Sequence, residues 1–459
     1  MSIADKLTRL NTTKQNIKDA IENKGRDLTG KTFEDDYATE IDAIETGGGG
    51  SLEITGEQVV TGEYTEAISE FDTVFGTLIP EVLSGGAWDT TINKLSDPST
   101  LPPSTSNDSS FTPDGTYLAV AHESSPFITI YKRSGDTFTK LANPSALPAG
   151  GGRGVAFSLD GTYLAIAHFG LPRIIIYKRN GDIFTKLPDL PDLPGTGTDI
   201  AFSPNGTYLA LSIFSTPFII IYKRSGDTFT KLANPSTLPT NTGRGVAFSP
   251  DSNYLALAHR DSPNITIYKR SNDTFTKLPN PSTLPTGFGW GTSFSPDGLY
   301  LSVAHSDSPY ITIYKRLGDT FTKLANPTGG LPGDTSNGTA FTPDGTYLAV
   351  AHINSPYITI YKRNDDTFTK VPNPSTLPVG VSYQTTFSPD GIYLVVSHQD
   401  SPYITIYKTT LVEGQPAYIE IQKANNSLNF PENVEHAGYA LESGVSGDEK
   451  TMMSLFRSN

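Results

Sequence analysis

Six histidines recur at one position of a repeated phrase: His122, His168, His259, His305, His352 and His398, with Ile213 taking that place in one copy. Imidazoles at a fixed period raise the question of a metal centre. A metal ion needs three or four ligands converging on one point. Equivalent residues on neighbouring β repeats stand roughly 10 Å or more apart, about a sheet-packing distance. One histidine per repeat therefore cannot converge, and each is expected to hydrogen-bond the Ser-Pro loop that follows it. No metal site is expected.

The repeated aspartates, such as Asp114, Asp160 and Asp297, fall in turn sequences where an Asx side chain bonds nearby backbone. No nucleophile–base pair, glycine-rich phosphate loop or paired-carboxylate arrangement stands out. Ser446, between Gly444 and Gly447, lacks the strand-to-helix setting of a nucleophile elbow. The chain has no cysteine, which excludes disulfides and thiol chemistry. No catalytic residue and no cofactor is expected.

Recognition chemistry is left to the positions where the repeats differ. Trp290, Phe288, Tyr383, Arg153, Arg244, Phe169 and Phe214 are the candidate ligand-binding residues, with Asp199 and Asp334 also nearly unique in their place. Trp290 is the only tryptophan within the repeats. Non-repeating aromatic and charged residues in loops suit recognition better than packing. Of 22 tyrosines, by contrast, 17 occupy fixed repeat positions, and most of these are expected to pack.

The elements that position these residues come from the repeat itself. FTPDGTYLAVAH, FSLDGTYLAIAH, FSPNGTYLALSI, FSPDSNYLALAH, FSPDGLYLSVAH, FTPDGTYLAVAH and FSPDGIYLVVSH open at Phe111, Phe157, Phe202, Phe248, Phe294, Phe341 and Phe387, 45 to 47 residues apart. That period, rich in β-branched and aromatic residues, marks a β-propeller. Repeat 2 parses into strands 153–158, 163–168, 173–179 and 183–187, with Asp160-Gly161 and Asn180-Gly181 as turns. Four antiparallel strands make one blade. Repeat 7 lacks its fourth strand, and Thr91-Ile92-Asn93-Lys94-Leu95 matches the missing piece, Thr228-Phe229-Thr230-Lys231-Leu232. The N-terminal strand is therefore expected to complete the last blade and close the ring. The SPDG turns and the second hairpin turns share one face. The second-to-third-strand loops and blade-to-blade loops, which carry the candidate residues, share the other.

The fold class is mainly β: a seven-bladed propeller over 88–409, inserted in a small β module whose halves are 52–87 and 410–459. Residues 1–46 form a helical anchoring or oligomerisation segment, and 47–51 a glycine-rich linker. Within the first helix Ile3, Leu7, Leu10, Ile17 and Ile21 make a short heptad stripe interrupted by Lys14. Met1–Leu10 lacks the basic and apolar runs of a signal peptide, and no stretch approaches a membrane span. A net charge of −14 argues against phosphate-backbone binding, so no nucleic acid is expected.

The SPDG turns make the repeats resemble WD-repeat and YVTN-type propellers, without the Trp-Asp dipeptide. LTRLNTTKQNIKDAIENKG and FEDDYATEIDAI resemble the N-terminal segment of structural proteins from phages of Gram-positive bacteria. FDTVFG and GYALESGVSGDEKTMMSLF resemble a small β module of phage virion proteins. The resemblance implies a virion component without choosing between tail and head. The leading expectation is a protein made in the host cytoplasm and placed in tail, baseplate or fibre, displaying the propeller for host-surface or glycan binding. Its partners would be other virion proteins, and its state a homo-oligomer, a trimer by analogy with phage appendages. The alternative is a capsid-decorating or purely structural protein without ligand. A lactonase-like propeller hydrolase needs a central cluster of acid–base residues or metal ligands, and the blade-to-blade loops repeat none, so the expectation is a protein that is not an enzyme.

Overall fold

A computed structural model describes residues Ile92–Thr409 and three further strands, Ala417–Gln422, Ala440–Glu442 and Lys450–Leu455. The helical segment read over 1–46, the linker at 47–51 and the half-module at 52–87 lie outside the described residues. Among the described residues there is no helix.

Six repeats each form one antiparallel four-stranded sheet in sequential order, and a seventh such sheet takes three strands from the last repeat and its fourth from Ile92–Lys94. Blade 4 is typical: Gly243–Phe248, Tyr254–His259, Ile265–Ser271 and Thr274–Lys277. The second strand is buried at all six positions in every blade. It is covered on both faces by neighbouring blades, which explains why YLAVAH reads as a continuous apolar run rather than an alternation. The third strand buries its first four residues and then emerges at Lys-Arg.

The innermost strands are Ser106–Phe111, Gly152–Phe157, Gly197–Phe202, Gly243–Phe248, Gly289–Phe294, Ser336–Phe341 and Ser382–Phe387. Each packs on the next, and the last packs on the first. The ring closes through Ile92–Lys94, which pairs antiparallel with Ile404–Thr409, Ile92 opposite Thr409 and Lys94 opposite Tyr407. Blade 7 thus takes its outer strand from the start of the propeller, as the repeat matching requires.

The core lies between blades. Tyr117, Ala119, Ile128 and Ile130 of blade 1 pack with Val155, Leu164, Ile166 and Tyr177 of blade 2. At the outer edge a polar clamp repeats: Tyr208 and Lys223 of blade 3 both hold Asp273 of blade 4, at 2.8 Å each. Tyr393 and Lys408 of blade 7 hold Asp136 of blade 1 at 2.6 and 3.0 Å, carrying the clamp across the closure. The third-strand tyrosines are buried and donate to loop carbonyls, Tyr268 to Thr237 and Tyr407 to Thr376. The repeat tyrosines therefore pack and hydrogen-bond together.

The aspartates of the first turn act as expected. Asp251 accepts from the backbone of Asn253, and Asp297 from that of Leu299. Arg363 of blade 6 reaches back to Asp297 of blade 5 at 2.8 Å.

The chain divides into two compact units, Thr90–Glu413 and the remainder, Met1–Asp89 with Gly414–Asn459. In the second unit Ala417–Gln422 and Ala440–Glu442 flank Lys450–Leu455 in an antiparallel three-stranded sheet.

Candidate functional site

Every innermost strand carries an irregularity of register one or two residues after its start: after Ser106, Gly152, Gly197, Gly243, Gly289, Ser336 and Ser382. A β-bulge of this kind re-aims the side chain it carries. The residues at this position are Asn107, Arg153, Thr198, Arg244, Trp290, Asn337 and Tyr383. All seven line one cavity of about 510 Å³, joined by Asp108, Asp199 and Gln384 and by Phe214 from the loop side. A regular backbone feature thus gathers the residues that break the repeat.

The strands can meet around the axis because the following position is mostly glycine. A Cβ on Gly245 would lie 2.7 Å from the Gly291 Cα, and one on Gly154 would lie 2.6 Å from the Asp199 Cα. Side chains at this level come from Asp108, Asp199 and Gln384.

Guanidinium groups and aromatic rings dominate the cavity's upper wall. Arg244 is flanked by two rings, 4.8 Å from the Phe214 centroid and 4.5 Å from Trp290. Arg153 lies 4.3 Å over Phe169 and pairs with Glu123 at 3.3 Å. Phe288 is exposed and carries Arg260 over its ring at 5.0 Å. Burial, then the charges of Arg260 and Arg153, push the Arg244 guanidinium down to about 10. Burial also raises the Tyr383 hydroxyl, whose oxygen lies 3.3 Å from Gln399 Oε1.

Two carboxyls form the floor. Asp108 accepts from Ser109 N–H and, across the blade boundary, from Val155 N–H, each at 2.8 Å. Asp199 accepts in the same way from Ile200 and Val246, each at 2.8 Å. They tie blade 1 to blade 2 and blade 3 to blade 4. Burial, followed by the charge of Asp199, lifts Asp108 well above the carboxylate range despite these bonds. Burial raises Asp199 to about 6. A carboxyl raised to about 6, as Asp199 is, can exchange a proton near neutral pH.

The structure therefore brings together Arg153, Phe214, Arg244, Trp290 and Tyr383 on one cavity, with Phe169 stacked on Arg153. Phe288 stands apart on Arg260. Sequence reasoning missed Asn107, Asp108, Asn337 and Gln384. Their signal was available: they sit in register with Arg244 and Gly245, one or two residues after the Gly or Ser that opens each innermost strand.

The histidines do not enter the cavity lining. His122 Nδ1 donates to the Ser124 carbonyl at 2.9 Å, as expected of a Ser-Pro loop bond. The recurring partner is instead the threonine seven residues on. His259 Nε2 lies 2.9 Å from Thr266 Oγ1, and His122, His305, His352 and His398 make the same pair.

The family model that matches is Lactonase, 7-bladed beta-propeller, over residues 110–287 and 155–326. The matched span is less than half of the 459-residue chain. No curated protein matches. Similar solved structures include the hydrazine synthase of Kuenenia stuttgartiensis, 16% identical with a TM-score of 0.54, covering 72% of this chain and 100% of that one. The Cps50 (Swd1) beta-propeller domain of Myceliophteria thermophila is 14% identical with a TM-score of 0.54, covering 70% and 100%. A protein from Lactobacillus plantarum is 18% identical with a TM-score of 0.55, covering 63% and 89%. At these identities the likeness is one of fold.

These findings correct one expectation. The sequence pointed to a structural protein that is not an enzyme, yet the matching model describes a family named for an enzymatic activity. The physical reason is that an active site on a propeller does not require a cluster repeated from blade to blade. On a propeller axis carboxyl groups need not repeat, and the two buried ones that line this cavity come from blades 1 and 3, as Asp108 and Asp199. The seven-bladed propeller is a scaffold able to bind a ligand or a protein surface.

Proposed function

We propose that the axial cavity binds a hydroxyl-rich, carbohydrate-type ligand. The observation that carries this reading is the convergence of the non-repeating residues: rings from Phe214, Trp290 and Tyr383 and amides from Asn107, Asn337 and Gln384 line one cavity of about 510 Å³. That volume falls in the ordinary range for small-ligand sites. Aromatic faces suit the C–H faces of a sugar ring, while amide and carboxyl groups suit its hydroxyls. Saturation-transfer NMR of the full-length chain against a panel of bacterial-surface saccharides tests it. Ligand signals that vanish in Trp290→Ala at unchanged melting temperature support it, and no transfer from any saccharide overturns it.

A hydrolytic reading is favoured by the carboxyl pair together with the Lactonase match. A carboxylate with a raised pKa can take a proton from a water attacking a lactone carbonyl. Release of acid from sugar lactones, lost in Asp199→Asn, is its test.

For the setting of the chain, the resemblance of its terminal segments supports assembly with phage virion proteins through 1–46 and through a β module interrupted by the propeller. The cavity would then face a host-surface glycan, and the chain would act as a homo-oligomer, a trimer by analogy. Co-purification with particles, lost on removal of 2–46, tests this setting separately from binding.

A further inference from the structure

Arg153 and Arg244 occupy the same bulge position two blades apart, but their surroundings differ. Arg153 receives a counter-ion from Glu123, the residue after His122 in the preceding blade. At the corresponding place before Arg244, after Ile213, stands Phe214. The carboxylate has been exchanged for an aromatic face, and a second ring, Trp290, closes the other side.

Most other arginines of the propeller have an acceptor, Arg133 on Asp390, Arg224 on Asp160, Arg363 on Asp297, Arg173 on Thr196 and Arg270 on the Ser252 carbonyl, although the buried Nε atoms of Arg153 and Arg173 have none. Arg244 has no carboxylate in ion-pair range among the described residues, and its buried Nε has no acceptor. The buried indole Nε1 of Trp290 likewise has none. The floor carboxyls Asp108 and Asp199 are each engaged by two backbone N–H groups rather than by Arg244. A half-buried guanidinium without a partner is costly, and more so with Arg153 and Arg260 close enough to repel it. An oxyanion would relieve all three conditions. The planar fork of a guanidinium matches a carboxylate or phosphate in a bidentate pair.

We infer that the ligand of the axial cavity is acidic, its anionic oxygens received by Arg244 between Phe214 and Trp290. The inference rests on the carbohydrate reading and narrows it to saccharides bearing a carboxylate or a phosphate, with the neutral part of the ligand on Tyr383 and the amides.

The test is calorimetric titration of the full-length protein with three probes: an oligosaccharide of neutral hexoses, the matching oligosaccharide of uronic acids, and a phosphate-substituted counterpart. Either acidic probe should bind at least tenfold more tightly than the neutral one, and whichever does so identifies the source of the anion. The preference should shrink in high salt and disappear in Arg244→Gln, which should bind acidic and neutral probes alike. Phe214→Glu is the second variant. It supplies in blade 3 the carboxylate that blade 1 already has, so it should fold and abolish the preference. Equal affinity for neutral and acidic probes overturns the anion inference and leaves the carbohydrate reading standing. No binding of any probe overturns both.

Discussion

Thr266 Oγ1 lies 2.9 Å from His259 Nε2, and both residues are buried. The pair spans adjacent strands of blade 4 and recurs in four other blades. Blade 3 replaces both members together, with Ile213 and Ile220. Blade 2 replaces only one: His168 is retained, Ile175 stands where the threonine should be, and neither ring nitrogen has a partner. The propeller thus contains its own control for a polar pair, an apolar pair and a mismatched one.

His168→Ile should therefore stabilise the protein, since blade 3 already accommodates isoleucine at both places. Removing unsatisfied buried nitrogens is worth about 1–3 kcal/mol, part of which is spent on refitting shape. Differential scanning calorimetry should show a melting temperature raised by about 1–3 °C, given the size dependence of such shifts. The same change at His259 should lower it, because Thr266 would be left without its partner.

The histidines also set the acid limit. Burial lowers His122, His168, His259, His305, His352 and His398 from the ordinary 6.5 to about 4. A folded pKa below the unfolded one means stability present above pH 6.5 and lost as pH falls toward 4. Asp108 and Asp199 act in the opposite sense. Their folded pKa values are raised, so their contribution is present below the unfolded carboxylate pKa and lost as pH rises, through about 6 for Asp199. Six groups outweigh two over this interval. Urea denaturation should give a midpoint that falls continuously from pH 6.5 to 4, and a flat profile would contradict the burial argument.

Closure depends on a short strand. Ile92 is buried against Ile358, Ile360 and Val396, and its strand supplies the outer edge of blade 7. Ile92→Asp places an unpaired carboxylate there and should destabilise the ring by roughly 3 kcal/mol or more. Lys94→Asp, on the same strand but half-buried, should cost far less. Melting curves of the two variants compare a broken closure with a changed surface charge.

Much of this was legible before the structure. The period of 45 to 47 residues announces the blades, and the match of Thr91-Ile92-Asn93-Lys94 to a fourth strand announces the closure. Arg153, Arg244, Trp290 and Tyr383 stood out as departures from the repeat. The floor did not. Asp108 lies in the first blade, ahead of the first SPDG phrase, where SNDSSF looks like an ordinary polar strand. The bulge that aims Asn107 and Arg244 into the cavity is a backbone event whose one mark in residue type is the Gly or Ser that opens each innermost strand. The separation of Phe288 from its neighbour Trp290 is of the same origin, since Gly289 begins the strand between them.

That separation gives the last prediction. Trp290 lines the cavity and stacks on Arg244, while Phe288 is 41% exposed and stacks on Arg260. Truncating Trp290 removes a wall of the cavity and one face of the guanidinium sandwich. A cation–π contact of this kind is worth about 0.5–2 kcal/mol, before any ring-to-ligand contact is counted. Trp290→Ala should therefore weaken ligand binding at least tenfold, whereas Phe288→Ala should change it less than twofold. Both should leave the melting temperature nearly unaltered, because neither residue belongs to an inter-blade core cluster. Titration of both variants with the tightest saccharide checks the difference. Equal losses would place the binding surface on the outer loops rather than in the axial cavity.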